Sequence, residues 1–83
     1  MPKIYEQINE NTWCQGAFES TSSTGITQHC ASGWLIAAGY GISGEAYKLV
    51  QQAAGINYTL CAWNDETKRT WQDVRDAFKK ANL

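Results

Sequence analysis

The clearest hydrophobic pattern lies at the end of the chain, where apolar residues recur with the period of an α-helix. These positions are Trp71, Val74, Ala77, Phe78 and Ala81. Thr70 stands just before them and Asp73 follows three residues later, which is a capping-box pattern with Asp in place of Glu. The spacing predicts a last helix that begins after Thr70.

The middle of the chain is apolar and uncharged, because no Asp, Glu, Lys or Arg occurs between Ser20 and Gly44. From Cys30 to Gly39 the apolar residues, Ile36 among them, cover more than one helical face. A helix that is apolar all round is normally buried. We therefore predict the central core helix here.

A further helix is predicted from Gly44 to Ala54, with Ser43 as a cap and Gly55 as a left-handed C-cap. Its inward residues are expected to be Ala46, Tyr47, Leu49, Val50 and Ala53. At the other end of the chain, Pro2 suits the first turn of a short helix that carries Ile4, Tyr5 and Ile8 on one face.

Two regions predict minor β-structure. Residues 12–30 contain a Ser/Thr-rich turn, and Gly25 can supply the positive φ of a hairpin connection. Ile56, Tyr58 and Leu60 alternate with polar residues, which is the period of a half-buried strand. The predicted fold is therefore mainly α, with α+β as the alternative. It is a compact bundle of about four short helices with a minor β-hairpin or strand pair, in which the third and last helices pack around residues 30–39.

Composition limits the class of protein. The 83 residues allow one small domain, and four tryptophans with 43% hydrophobic residues argue for a folded chain. A net charge of −1 lacks the basic footprint of a general nucleic-acid binder, so no nucleic-acid partner is expected. No apolar run approaches the ~18 residues that span a bilayer. Three cysteines without a signal-peptide pattern favour a reducing, cytoplasmic location.

Cysteine and histidine suggest two kinds of chemistry. Cys14, His29, Cys30 and Cys61 form a Cys₃His set, but they lack the closely spaced ligand pairs of structural zinc sites, so we expect neither metal nor cofactor. A thiol enzyme could use Cys30, whose pKa a helix N-terminus would lower, or Cys14 with His29 as base and Gln15 as oxyanion donor. His29 directly precedes Cys30 and cannot easily reach its thiol, so an enzyme is not expected.

A binding site is the other hypothesis for the polar and aromatic residues. Trp13 and Trp63 could stack on a nucleotide or another small ligand, although aromatic residues also fill small cores. Asn64-Asp65 could be only the turn before the last helix. Arg69 could pair with Asp65, or bind an anion near the start of that helix.

Three short motifs occur in order along the chain. They are Trp13-Cys14-Gln15-Gly16-Ala17, Cys30-Ala31-Ser32-Gly33, and Trp63-Asn64-Asp65 followed by Arg69-Thr70. Together, over residues 13–81, they resemble a family of small phage and bacterial proteins of unknown function. The chain departs from that pattern at Trp34, where Ala is more frequent, and at residues 66–68, where Pro-Gly is common. The resemblance implies a small cytosolic accessory protein of phage origin and assigns no activity.

The leading hypothesis is therefore a non-enzymatic accessory protein, encoded by a phage, that binds a host protein. The second is an oligomeric small-ligand or nucleotide-binding protein, and the third is a cysteine-dependent thiol enzyme. The candidate binding residues are Trp13, Cys14, Gln15, His29, Trp63, Asn64, Asp65 and Arg69.

Overall fold

Five helices and one antiparallel strand pair form the protein in a computed structural model, which describes residues 3–83. In chain order they are α1 (Ile4–Gln7), β1 (Glu19–Thr21), β2 (Thr27–His29), α2 (Ala31–Ala37), α3 (Glu45–Ala54), α4 (Leu60–Asn64) and α5 (Trp71–Lys80). This confirms the prediction of a mainly α fold with a minor β-hairpin. The expected role of Pro2 in the first helix lies outside the described residues.

The predicted capping box begins α5. The Thr70 hydroxyl accepts from the Asp73 backbone N–H at 3.3 Å, and the Asp73 carboxylate accepts from the Thr70 N–H at 3.1 Å. The helix buries Val74, Ala77 and Phe78. Its main helix neighbours are α3 and α1, and not the segment at 30–39. That segment packs mainly against α3, α4 and β2, so the prediction that the third helix packs on it is confirmed, whereas the last helix packs mainly elsewhere.

Only the first part of α2 is buried. Cys30 is its N-cap, and residues 31–35 lie in the core. Ile36 is 46% exposed, so the prediction of a helix buried all round is wrong from that position onward. The cause is geometric: burial depends on which elements cover a turn, and local composition cannot tell the covered turn from the uncovered one.

The predicted third helix is confirmed as α3, and Gly55 ends it in the left-handed conformation at φ 74°. Two details were wrong. Gly44, and not Ser43, is the N-cap, and no side chain caps the helix. Leu49 is exposed, because the covered face of α3 is centred on Tyr47 and Val50.

The strand predicted at residues 56–60 is wrong, because residues 56–59 form no regular element and α4 begins at Leu60. The Thr59 hydroxyl accepts from the Ala62 N–H at 3.3 Å and so caps this helix. Leu60, Trp63 and Asn64 are buried at helical spacing. The alternation of apolar and polar residues before Leu60 is typical of a strand. The feature that decides the structure is Thr59, whose side chain caps a helix.

The hairpin predicted within residues 12–30 is confirmed. Its register pairs Glu19 with His29 and Thr21 with Thr27, and Gly25 in the connection has φ 84°. An extended segment lies beside β2, since the His29 N–H donates to the Thr12 carbonyl at 2.8 Å. The segment that contains the first motif is thereby attached to the strand that leads into α2.

We expect Gly33→Ala to destabilise the fold, because α2 crosses the chain just before β1 at very close range. A Cβ atom at Gly33 would lie 1.9 Å from the Phe18 carbonyl oxygen. Overpacking of this kind typically costs about 1–3 kcal/mol. Urea unfolding would measure it. Gly44→Ala is the matched control, since a Cβ there comes no closer than 3.3 Å to Tyr40. A Gly33 variant as stable as the control would contradict the close approach.

Candidate functional site

Asn64, the last residue of α4, is completely buried and makes all the hydrogen bonds that a side-chain amide can make. Its Oδ1 accepts from Trp13 Nε1 at 2.6 Å and from the Ala31 backbone N–H at 2.9 Å. Its Nδ2 donates to the Cys14 carbonyl at 3.0 Å and to Asp65 Oδ1 at 3.0 Å. Two obligate donors and two acceptors therefore fix the orientation of the amide.

The residues on either side extend this network. Gln15 Nε2 donates to the backbone carbonyls of Asn64 at 2.9 Å and Glu66 at 3.0 Å. Asp65 Oδ1 also accepts from the Gly16 N–H at 3.0 Å. We call this set the Asn64 cluster; its members are Trp13, Cys14, Gln15, Gly16, Ala31, Asn64 and Asp65. Parts of all three sequence motifs meet in it.

Arg69 lies beside the cluster and is held by several contacts. Its guanidinium stacks 4.5 Å from the centre of the Trp63 ring, and its Nε donates to the Trp63 carbonyl at 2.9 Å. It forms an ion pair with Glu66 and a longer one, at 3.8 Å, with Asp73. The expected pair with Asp65 is wrong, because that carboxylate accepts from Asn64 and Gly16. Two carboxylates therefore balance the charge of Arg69.

Burial acts against ionisation of the Cys14 and Cys30 thiols. Cys30 is 2% exposed, and burial raises its pKa to about 11, although the Gly33 N–H that donates to its sulfur at 3.3 Å acts in the opposite direction. The expectation that the start of α2 lowers this pKa is therefore wrong. Burial, and then the charge of Asp65, raise the pKa of Cys14. No cysteine is in a disulfide.

The predicted Cys and His residues do not form a metal site in residues 3–83. Within that range no group of three or more His, Cys, Asp or Glu side chains is arranged to hold a metal ion. The His29 ring packs on Trp34 at 4.8 Å, and the Cys61 thiol donates to the Ser32 hydroxyl at 3.4 Å.

Two hollows lie outside the Asn64 cluster. A cleft of about 430 Å³ between α3 and α5 includes Trp63 and Arg69 in its lining. A second hollow of about 510 Å³, which we call the Trp34 pocket, lies between α1, the end of α2 and residues 82–83. Sequence reasoning missed the second one. The signal available was the apolar, uncharged stretch that continues past the end of α2 to Ile42.

Comparison with known proteins gives a family and nothing further. The model of DUF6197, described as a family of unknown function, matches residues 3–82. The chain belongs to this family. The expected membership of a family of unknown function is thus confirmed. No curated protein and no solved structure matches the chain. Among the helices of residues 3–83, none has the length and apolar character needed to cross a membrane.

We expect Asn64→Asp to destabilise the fold at neutral pH although the two side chains have nearly the same shape. The carboxylate oxygen that replaces Nδ2 would lie against both the Cys14 carbonyl and the Asp65 carboxylate, and it has no proton to donate to either. A buried acceptor left unpaired costs about 1–3 kcal/mol, and a buried unpaired charge adds to that. Urea unfolding at pH 7 would measure the loss.

The control for this variant is Asn57→Asp, because Asn57 is exposed. The deficit of Asn64→Asp relative to the control should shrink at pH 4, where a protonated carboxyl regains a donor for the Cys14 carbonyl. Equal stabilities of the two variants at pH 7 would contradict the central place of Asn64.

We also expect alkaline pH to destabilise the protein through Cys30. A thiol whose pKa is raised to about 11 by folding stays protonated while the same thiol in the unfolded chain ionises near its ordinary pKa of 9.0. The contribution of Cys30 to the free energy of unfolding is therefore fully present below about pH 9, and it is lost as the pH rises toward 11. Unfolding midpoints measured from pH 7 to pH 11 would show this slope.

Cys30→Ser removes the titration and keeps a capping side chain, so its slope should be shallower. The protein with Cys30 and the Cys30→Ser variant should both carry Tyr58→Phe. The hydrogen bond from the Tyr58 hydroxyl to Glu66 raises the pKa of Tyr58, which therefore also ionises at alkaline pH. An unchanged slope in the Ser variant would contradict the prediction.

Proposed function

We propose that this protein is a non-enzymatic binding domain that acts by attaching to the surface of another protein. The observation that carries the proposal is the division of its residues into two groups. The polar and aromatic residues of the three motifs form hydrogen bonds with one another in and around the Asn64 cluster. Large apolar side chains, in contrast, are exposed where α2 ends.

Three of the seven large apolar side chains that are exposed in residues 3–83 follow one another closely along the chain at the end of α2. They are Ile36, Tyr40 and Ile42, which are 46%, 50% and 49% exposed, and we call them the exposed apolar surface. No charged residue occurs between Ser20 and Gly44, so the segment that carries this surface has no charge of its own. Exposed apolar patches of this kind mark sites of protein association. An apolar surface of another protein fits it, because burial of each half-exposed side chain contributes about 1 kcal/mol.

The raised pKa values of Cys14 and Cys30 also favour binding over catalysis. A thiol acts as a nucleophile when it ionises, and both groups stay protonated near neutral pH. Three free thiols suit a reducing compartment, which supports the cytoplasm as the location. In this proposal the protein is encoded by a phage and its partner is a protein of the host, as the resemblance of the motifs implies.

The second candidate function, small-ligand binding by an oligomer, draws on the cleft beside Trp63 and Arg69. Those two side chains are stacked on each other, and Arg69 is paired with carboxylates. A ligand would have to replace contacts that already exist. We therefore rank this function second; a small molecule that co-purifies in native mass spectrometry would favour it.

We expect a photo-crosslinking residue at Ile42 to capture one defined protein in cells that carry the gene. After that protein is purified, Ile36→Glu should weaken its binding at least tenfold by calorimetry, because the new charge would have to be desolvated in an apolar contact. Ile26→Glu is the matched control, since Ile26 is also exposed but belongs to the hairpin connection. Equal weakening by both variants, or no captured protein, would contradict the proposal.

A further inference from the structure

The Trp34 pocket adjoins the exposed apolar surface, since Tyr40 belongs to both. Its apolar lining comes from Ile4, Trp34, Ala37, Ala38, Tyr40 and Leu83. A volume of about 510 Å³ is enough for one large side chain together with the backbone next to it. The surface therefore contains a hollow in which a protruding residue of a partner can be anchored.

Trp34 is the largest side chain in this lining. The residue is 8% exposed, and its indole Nε1 is the one buried side-chain nitrogen or oxygen in residues 3–83 without a hydrogen-bond partner. Because solvent does not reach this nitrogen, a partner in the pocket meets the indole ring and not its N–H. The N–H signal of Trp34 therefore reports on contacts made with the ring.

The charge of the lining also selects among partners. Lys3 is the only charged side chain among the residues that line the pocket, and it is exposed. Lys3 Nζ donates to the Asn82 carbonyl at 3.2 Å, which holds the ammonium group near residues 82–83. An acidic residue of the partner is attracted to this edge, whereas a basic one is repelled.

We propose that the Trp34 pocket anchors a partner segment that presents a large apolar side chain next to an acidic residue. In this arrangement the apolar side chain fills the pocket against the Trp34 indole ring, and the carboxylate faces Lys3. The inference rests on the proposed function and adds the chemistry of the partner.

The test uses short peptides as probes, so it does not need the partner. Acetyl-Asp-Phe-amide is titrated into the ¹⁵N-labelled full chain, and Trp34→Phe assigns the Trp34 indole signal. We expect that signal to shift as the phenyl ring of the peptide packs against the indole, and to saturate at millimolar peptide. Acetyl-Lys-Phe-amide should bind at least threefold more weakly because of Lys3, and acetyl-Asp-Ala-amide should leave the signal unmoved.

Two variants locate the binding. Ala37→Gln fills the pocket from an exposed position and should weaken binding at least fivefold, whereas Ala62→Gln, also at an exposed helical alanine, should not. Lys3→Glu provides a second test that leaves the size of the pocket unchanged, because it should reverse the preference between the Asp and Lys peptides.

Several results would overturn the inference. They are an indole signal that no peptide moves, equal binding by the Ala37 and Ala62 variants, and self-association in sedimentation that Ala37→Gln abolishes. The last result would assign the pocket to a second copy of the chain. A partner captured at Ile42 that binds the Ala37→Gln variant normally would leave the proposed function intact and refute only the pocket, so the two failures are distinguishable.

Discussion

The fold depends on the complete burial of one amide side chain. Asn64 joins three pieces that are far apart in sequence: the extended segment at Trp13 and Cys14, the start of α2 at Ala31, and the end of α4. An amide removed from water is tolerated only when its donors and acceptors are paired, so these pieces must be in place together. This requirement ties the hairpin region to the helices, which share few other polar contacts with it.

The same requirement explains why conspicuous polar and aromatic residues are paired with one another inside the fold. Trp13, Gln15 and Asp65 suggest ligand recognition when they are seen as a sequence, because aromatic, amide and carboxylate groups are what binding sites use. In the structure each of them has a partner within the chain. A ligand at these groups would have to replace hydrogen bonds on which the fold itself depends.

In the proposed function, stability and binding belong to opposite ends of α2. The N-terminal end is buried: Cys30 caps it, Ala31 is joined to Asn64, and Gly33 lies against the backbone at Phe18. The C-terminal end is uncovered, and Ile36 is exposed there. Under that proposal a partner would contact the uncovered end while the other end stays fixed in the core.

The sequence by itself determined the elements whose signals are local. The capping box at Thr70, the left-handed turn at Gly55, the extent of α3 and the hairpin at Gly25 each follow from residues a few positions apart, and each is present. The alternation of apolar and polar residues at 56–60 predicted a strand. This prediction is wrong, because Thr59 caps α4 and the helix begins at Leu60.

Tertiary structure alone decided what each side chain does. Burial of Asn64, exposure of Ile36 and Leu49, and the choice of Glu66 and Asp73 over Asp65 as partners of Arg69 all depend on distant segments. The pKa of Cys30 is a clear example, because the start of a helix predicts a lowered value and burial by the surrounding fold raises it instead. Local patterns specify hydrogen bonds within a turn, whereas solvent exposure and charge pairing are properties of the assembled chain.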